Sequence, residues 1–442
     1  MHLLYLIASY VLFALFAPII FLHPKLRNGV VRRFGFYGPG PRPWPPSRVA
    51  DGPRIWLHGA SAGDLLAISP VVVEIRERCP SATVIISTMT NSGYAMAAGR
   101  LRDMGDAVTF VPYDLAGATR RAMAAIQPDI LVLEYAELWP NLIEAAKASG
   151  ARIALTNGRL SERFVARYRL LHAIFGNQLQ KLDLLLMREP VEAERAYLLG
   201  APKSRVRATG NTKFDHVARP APPTHLETLR ACLGVVDDAP LWVAGSTHEG
   251  EERMLLDCFA ALKATHPRLR IVIAPRYVER AGRIVALARR RGMATVLRSQ
   301  IDAEHPADAA AEVIILDSIG ELSSAYALAS VVFVGGSFVP RGGQNILEPA
   351  GQGRPVLFGP YMANFRDSVE VLVGRGGIQV PSVEQLQRVV NDLLRRPAEL
   401  ERLGDMARVA VEKVRGASAR NAVCLLDLVD RVRCHGGSRA DA

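Results

Sequence analysis

Several things are missing from this chain of 442 residues, and each absence narrows what it does. Its five cysteines (Cys79, Cys232, Cys258, Cys424 and Cys434) are odd in number, scattered, and in no metal or redox spacing. That excludes a disulfide-stapled secreted domain and suggests a reducing compartment. No Asp-x-Asp pair is present to hold a metal against a diphosphate, and no histidine pair has helical ligand spacing, so the expected chemistry uses neither a metal nor a cofactor. The formal net charge of +11 suits nucleic acid, an anionic membrane or acidic substrates. With no aromatic-rich basic repeat, zinc spacing or RNA-binding signature beside it, nucleic acid is set aside.

Charge is also absent between Leu3 and Leu22, a run of the roughly 20 apolar residues that a helix needs to cross hydrocarbon. Lys25, Arg27, Arg32 and Arg33 follow, and by the positive-inside rule they place the remainder in the cytoplasm. A cleaved signal peptide is the rival, but no Lys or Arg precedes the run and no small-x-small cleavage site follows it. Pro18 is tolerable near the end of a spanning helix, or else marks a segment that enters the membrane without spanning it.

What is present is alternation. After a Pro/Gly-rich stretch (Gly38 to Pro53), short apolar runs alternate with helical patterns, as in parallel-sheet proteins. Strands are expected at 54–58, 83–87, 108–111, 130–133, 152–155 and 184–187, and then at 241–244, 270–274, 313–316, 331–334 and 355–358. The organisation this predicts is an anchor (1–24), a basic and Pro/Gly-rich linker (25–52), an N-terminal Rossmann-like domain (53–215), a linker (216–226) and a C-terminal domain (227–442) whose last helix is free to return to the first. Two doubly wound domains facing a cleft would bind ligands at the C-terminal ends of their strands. The basic stretch from Arg395 to Arg420 reads as a helix returning to the first domain or a face on anionic lipid, with a solvated helix face preferred.

The segment Phe333-Val-Gly-Gly-Ser337, followed by Gly342-Gly-Gln-Asn-Ile-Leu-Glu-Pro349, has the pattern of a site for a nucleotide's phosphate and ribose. An apolar strand runs into glycines that admit a ligand to the backbone, a short helix is expected to begin near Asn345, and Glu348 is placed to accept ribose hydroxyls. The plainer reading is that the glycines only make turns. In Gly59-Ala-Ser61-Ala-Gly63-Asp64 a carboxylate follows a strand just as a helix begins, so Asp64 is either a general base or the acid of a capping box with Ser61. Ser246-x-x-Glu249 and Ser318-x-x-Glu321 repeat that spacing, and there capping is the preferred reading. Glu137 orients substrate or favours a helix start. Arg276 and Arg341 suit an anionic group, and Lys213 either meets a ligand carboxylate or pairs with Asp215 or another side chain.

These stretches resemble the Kdo transferases of lipopolysaccharide assembly, which attach 3-deoxy-D-manno-oct-2-ulosonic acid to lipid A precursor. The matching stretches are Ser61-Ala-Gly63, Leu138-Trp-Pro-Asn141, Asn157-Gly-Arg-Leu-Ser161, Gly210-Asn-Thr-Lys-Phe-Asp215, Gly245-Ser-Thr-His-Glu-Gly-Glu-Glu252, Pro275-Arg276, Asp317-Ser-Ile-Gly-Glu-Leu322, Gly335-Gly-Ser337, Asn345-x-Leu-Glu-Pro349 and Asn364-Phe-Arg-Asp367. The resemblance implies a GT-B fold of two Rossmann-like domains with an N-terminal membrane-anchor helix, a CMP-Kdo donor bound by the C-terminal domain, and metal-free inversion at the cytoplasmic face of the inner membrane. By position it puts Asp64 in the place of the family's catalytic glutamate, and Arg276, Gly336, Ser337, Asn345 and Glu348 in the CMP site. Ser61, Gly63, Glu137, Lys213, Ser246, Arg341 and Gln344 are further binding candidates, with Lys213 for the donor's carboxylate.

The departures fall at these same places. The family's Ser-x-Gly-Glu is Ser61-Ala-Gly-Asp64 here, and its Glu-Thr-Glu-Leu-Trp-Pro is Tyr135-Ala-Glu-Leu-Trp-Pro140. Its Gly-Gly-His-Asn is Gly342-Gly-Gln-Asn345, and its Pro-Arg-His-Pro is Pro275-Arg-Tyr-Val278. They leave open a paralogue with another nucleotide sugar or lipid, and a membrane-bound binding protein without catalysis.

Overall fold

A computed structural model describes residues 2–22, 28–37, 52–99, 101, 104–217, 223–235, 239–308 and 310–436. Lys25 and Arg27, the expected linker at 38–51 and the middle of the second linker at 218–222 lie outside the described residues. The chain divides into two units, the first comprising Met1–His216 with Arg415–Ala442 and the second Val217–Val414.

Unit 1 is built on a seven-stranded sheet: β1 (Arg54–His58), β2 (Thr83–Thr88), β3 (Ala107–Phe110), β4 (Ile130–Glu134), β5 (Arg152–Gly158), β6 (Leu184–Met187) and β7 (Val206–Ala208). Their spatial order is β3-β2-β1-β4-β5-β6-β7, with every pairing parallel. The reversal of direction between β1 and β4 makes the topological switch point. Successive side chains of a strand point to opposite faces, and both faces are covered. Trp56, Leu131, Leu133, Ile153 and Leu155 enter one core. Ile55, Leu57, Val84, Ile130 and Val132 enter the other, which explains why these strands appear in the sequence as unbroken apolar runs.

That second core is closed by α3 (Ala62–Arg78) and by the chain's last helix, Ala417–Gly436, which contributes Ala422, Leu425 and Val429. The basic stretch therefore ends in a helix that belongs to unit 1. Its start is fixed by Asp215, whose carboxylate accepts the amides of Gly416 and Ser418, both at 2.6 Å. Two elements precede the sheet, α1 (His2–Leu22) and α2 (Val30–Arg33). α1 has the length and hydropathy of a membrane helix.

Unit 2 repeats the plan with β8 (Leu241–Thr247), β9 (Arg270–Pro275), β10 (Thr295–Leu297), β11 (Val313–Ile315), β12 (Val331–Val334), β13 (Val356–Phe358) and β14 (Gly377–Gln379). The order is β10-β11-β9-β8-β12-β13-β14, with a switch point between β8 and β12. Trp242, Ala244, Ile271, Ile273 and Phe333 fill the core on one face. All eleven expected strands are present within a few residues. The three unforeseen ones, β7, β10 and β14, have three residues each and lie at sheet edges, where half-exposed side chains give no apolar run to detect.

Candidate active site

In unit 1 the polar residues gather where β1, β4 and β5 end, beside the switch point. Asp64 is the third residue of α3 and forms a complete capping box with Ser61. Ser61 donates its amide (2.8 Å) and its hydroxyl (2.9 Å) to Asp64 Oδ2, and the Asp64 amide donates back to Ser61 Oγ at 3.4 Å. All of these bonds to the carboxylate fall on Oδ2. Among the described residues Oδ1 accepts none, so the cap orients the carboxylate and leaves one oxygen for a ligand.

Around Asp64 stand Glu134, Tyr135 and Glu137, whose proton affinities its charge raises. Glu134 is fully buried and accepts from Thr156 Oγ1 and Asn157 Nδ2. Burial pushes its carboxyl up to about 8, against the pull of those two hydrogen bonds. Asn157 Nδ2 also donates to Thr212 Oγ1, and Thr212 donates to the carbonyl of Ala67 on α3 at 2.6 Å. A closed polar network thus ties β4, β5 and the Gly210–Asp215 stretch to the helix that carries Asp64. Burial and the Glu134 and Asp64 charges raise the Tyr135 phenol, and burial raises the Glu137 carboxyl. Tyr135 and Asn157 both have left-handed backbone (φ 56° and 49°), as does Ser246 in unit 2 (φ 54°). Such strain in non-glycine residues costs about 1–2 kcal/mol each and clusters at functional sites.

A cavity of about 760 Å³ in unit 1 is walled by Ile20 of α1 and by Met89, Val111, Tyr113 and Trp139, with Arg33 at its margin. It adjoins Asp64 through the chain: the amides of Met89 (3.0 Å) and Thr90 (3.2 Å) donate to the carbonyl of Ala60, next to Ser61. Arg33 is buried, its guanidinium donating to Met89 O at 2.6 Å and lying 4.3 Å from the centre of the Phe110 ring.

In unit 2 the residues gather after β8, β9 and β12. Gly336 (φ 66°) passes so close to His248 and Gln344 that a Cβ there would stand 3.3 Å from each. Burial holds the His248 imidazole below its usual value, helped by the charges of Arg341 and Arg276 and against the pull of Glu251. Both arginines are exposed, with Arg276 against the Tyr277 ring. The His248 imidazole and the Gln344 side chain therefore flank the Gly336 turn, with the two arginine charges felt at His248. Glu348 has no hydrogen bond or ion pair among the described residues, and burial raises its carboxyl. An unengaged acceptor of this kind suits a pair of ribose hydroxyls.

Several expectations need correction. The amides of Gly336 and Ser337 do not await a phosphate: Gly336 N donates to Glu251 Oε2 (2.7 Å) and Ser337 N to Glu251 Oε1 (3.1 Å). The Ser337 hydroxyl donates its proton to Val334 O. The short helix begins near Asn345 as expected, at Leu347, but its first amide is taken by Asn345 Oδ1 at 3.0 Å. Neither Ser246 nor Ser318 caps a helix: Glu249 pairs with Arg280, and Ser318 bonds directly to the Glu321 side chain. Capping is realised at Asp64, where it was the rival of catalysis, because only there does the serine stand immediately before the first helical residue. Lys213 is exposed at the start of a short helix, and Asp215 is turned to the last helix instead. Glu134, His248 and Glu251 were not among the expected site residues. The last two lie inside a motif the sequence did single out, Gly245 to Glu252.

The family described as 3-Deoxy-D-manno-octulosonic-acid transferase (kdotransferase) matches residues 28–216. The chain is 31% identical over 410 residues to 3-deoxy-D-manno-octulosonic acid transferase of Haemophilus influenzae, covering 92% of each chain. Among solved structures, UDP-GlcNAc 2-epimerase from Neisseria meningitidis is similar at a TM-score of 0.55 with 12% identity, over 85% of this chain and 100% of that one. A glycosyltransferase from Rickettsia africae is similar at 0.51 with 13% identity, over 86% and 99%. These two likenesses concern the fold, which is that of two doubly wound GT-B units.

Proposed function

The chain belongs to the 3-deoxy-D-manno-octulosonic acid (Kdo) transferase family, and from that premise we propose how its residues divide the reaction. It is a glycosyltransferase that transfers Kdo. The donor is CMP-Kdo, bound by unit 2, and the acceptor is a lipid A precursor, bound by unit 1 at the cytoplasmic face of the inner membrane. Asp64 Oδ1 takes the proton of the acceptor hydroxyl as its oxygen bonds to the anomeric carbon of Kdo. The bond from that carbon to the phosphate oxygen breaks and CMP leaves with the electron pair, so the anomeric centre inverts. Negative charge grows on the departing phosphate, where Arg276 and Arg341 stand around His248. Glu348 holds the ribose, and Gln344 donates a neutral hydrogen bond where the family has an imidazole. The cavity lined by Ile20, Met89 and Trp139 suits the acceptor's apolar part.

The observation that carries this reading is the divided carboxylate of Asp64, with one oxygen held by Ser61 and the other left over beside an acid-rich strand end. The experiment is mass spectrometry of lipid A precursor after incubation with detergent-purified protein and freshly generated CMP-Kdo, beside Asp64→Asn. A Kdo-sized mass gain that vanishes in the variant is expected. No gain from a folded protein that binds CMP would sink the acceptor assignment and turn the search to other lipids.

A further inference from the structure

We infer that α1 lies in the plane of the membrane along unit 1 instead of crossing the bilayer, and that with α2 and the helix Val165–Phe175 it forms one face seated among anionic headgroups. The inference does not rest on the transfer reaction.

The contacts of α1 run along its length. Tyr5 donates to Asp114 at 2.7 Å, Ser9 accepts from Asn141 Nδ2 at 3.2 Å, and Tyr10 accepts from the Gly117 amide at 3.1 Å. Phe13 packs on Phe34 and Tyr113, with ring centres 5.6 and 5.0 Å away, and Ile20 walls the cavity described above. Tyr5 and Ile20 are about 22 Å apart along a helix axis. Unit 1 therefore touches both ends of a helix that, if it stood upright, would traverse most of a hydrocarbon layer about 30 Å thick. Crossing would carry Asp114 to the far side with Tyr5. Asp114 also accepts the amides of Asn141 and Leu142 at the start of the helix Pro140–Ala148, so that helix end would have to sink with it. A carboxylate and a helix terminus within hydrocarbon are both unfavourable.

The opposite face of α1 is bare, with Leu15 at 68% and Leu22 at 80% exposure. Its neighbours share this character. The helix Val165–Phe175 buries no residue at all, shows Leu170 at 61% exposure beside Arg167 and Arg169, and rests on α1 through Phe175 against Tyr5, 5.2 Å between ring centres. α2 presents Val31 at 66% exposure next to Arg32. Exposed apolar side chains accompanied by arginines are the composition of surfaces that enter the headgroup region of an acidic leaflet.

The test leaves the chain itself unchanged. An epitope tag is fused ahead of Met1, and external protease is added to spheroplasts and, separately, to inverted membrane vesicles. A tag protected in spheroplasts and removed in inverted vesicles, on the same side as the two units, is expected. A tag removed from intact spheroplasts while the units stay protected would show that α1 crosses, overturning the proposal. For the second helix, a fluorophore on Ile174→Cys in a background without other cysteines is measured in vesicles of anionic and brominated lipids. Quenching within twofold of a label at Leu15→Cys is expected. Quenching no greater than that of a label at Arg289→Cys in unit 2 would remove the helix Val165–Phe175 from the face.

Discussion

At the scale of single residues, Asp64 caps its helix through Oδ2, and the role of base proposed for Oδ1 is separable from the cap. Asp64→Asn keeps an acceptor for Ser61 but is no base. It should lose transfer by about 10²–10⁴-fold and melt within roughly 0.5 kcal/mol of the parent, while Asp64→Ala should also lose about 1 kcal/mol of stability through the cap. Kinetics beside denaturant unfolding of both variants decide this, and an asparagine variant with normal turnover would remove the base. Glu134 makes a different prediction. Unfolded, its carboxyl titrates near 4.5, but in the folded chain it holds its proton up to about 8. The folded state thus binds the extra proton between those values, so this residue's contribution to stability is lost as pH rises through that window. The melting temperature of the parent relative to Glu134→Gln should fall from pH 5 to pH 8; a flat difference would mean that the carboxyl is ionised throughout. Thr156 accommodates the neutral form, because its hydroxyl reaches the carbonyl of Leu133 (3.3 Å) as well as Glu134 and is free to accept from the acid.

At the scale of elements, the loop after β12 is held by a carboxylate of the protein's own. Glu251 accepts four amides, from His248 (2.9 Å), Gly336 (2.7 Å), Ser337 (3.1 Å) and Phe338 (2.9 Å). An array of backbone donors of this kind is an anion site by its geometry, and here the anion comes from the start of the helix Glu251–Lys263. Its effect is to fix the Gly336 turn against His248, so that in the proposed function phosphate recognition falls to the arginine side chains. Glu251→Ala leaves these buried donors without a partner and should destabilise the protein by about 3 kcal/mol or more. CMP affinity, measured by calorimetry on whatever folds, should drop at least tenfold. A variant that melts within about 1 kcal/mol of the parent would show that the loop holds its shape unaided.

At the scale of the whole molecule, the chain leaves unit 1, builds unit 2 and returns at Arg415 to finish unit 1. The last helix buries Leu425 and Val429 in the core that α3 closes, so ending the chain at Val414 should destabilise unit 1 by roughly 4 kcal/mol or more from lost apolar burial. CMP binding by unit 2 should survive, giving a calorimetric trace in which one transition falls and the other does not. A single transition at the parent's temperature would show that the helix contributes nothing to unit 1. The sequence by itself determined the architecture, since a parallel sheet covered on both faces needs apolar runs long enough to see, and β1, β4, β8 and β12 display them. It also pointed to the strand ends from which the proposed site is built, because Asp64, Arg276 and Glu348 lie a few residues beyond such runs. Tertiary structure alone decided how these groups are partnered. Whether Ser61 or Ser246 caps a helix turns on where the helix starts: Ser61 stands directly before Ala62, whereas the helix after Ser246 begins only at Glu251. That Glu251 fills the amides of Gly336 and Ser337, that Asp215 caps a helix some 200 residues later, and that unit 1 touches α1 at both ends are contacts between segments far apart in the chain. No local pattern records them, because hydrogen bonding and packing depend on distance in space and the periodicities of a sequence report only near neighbours.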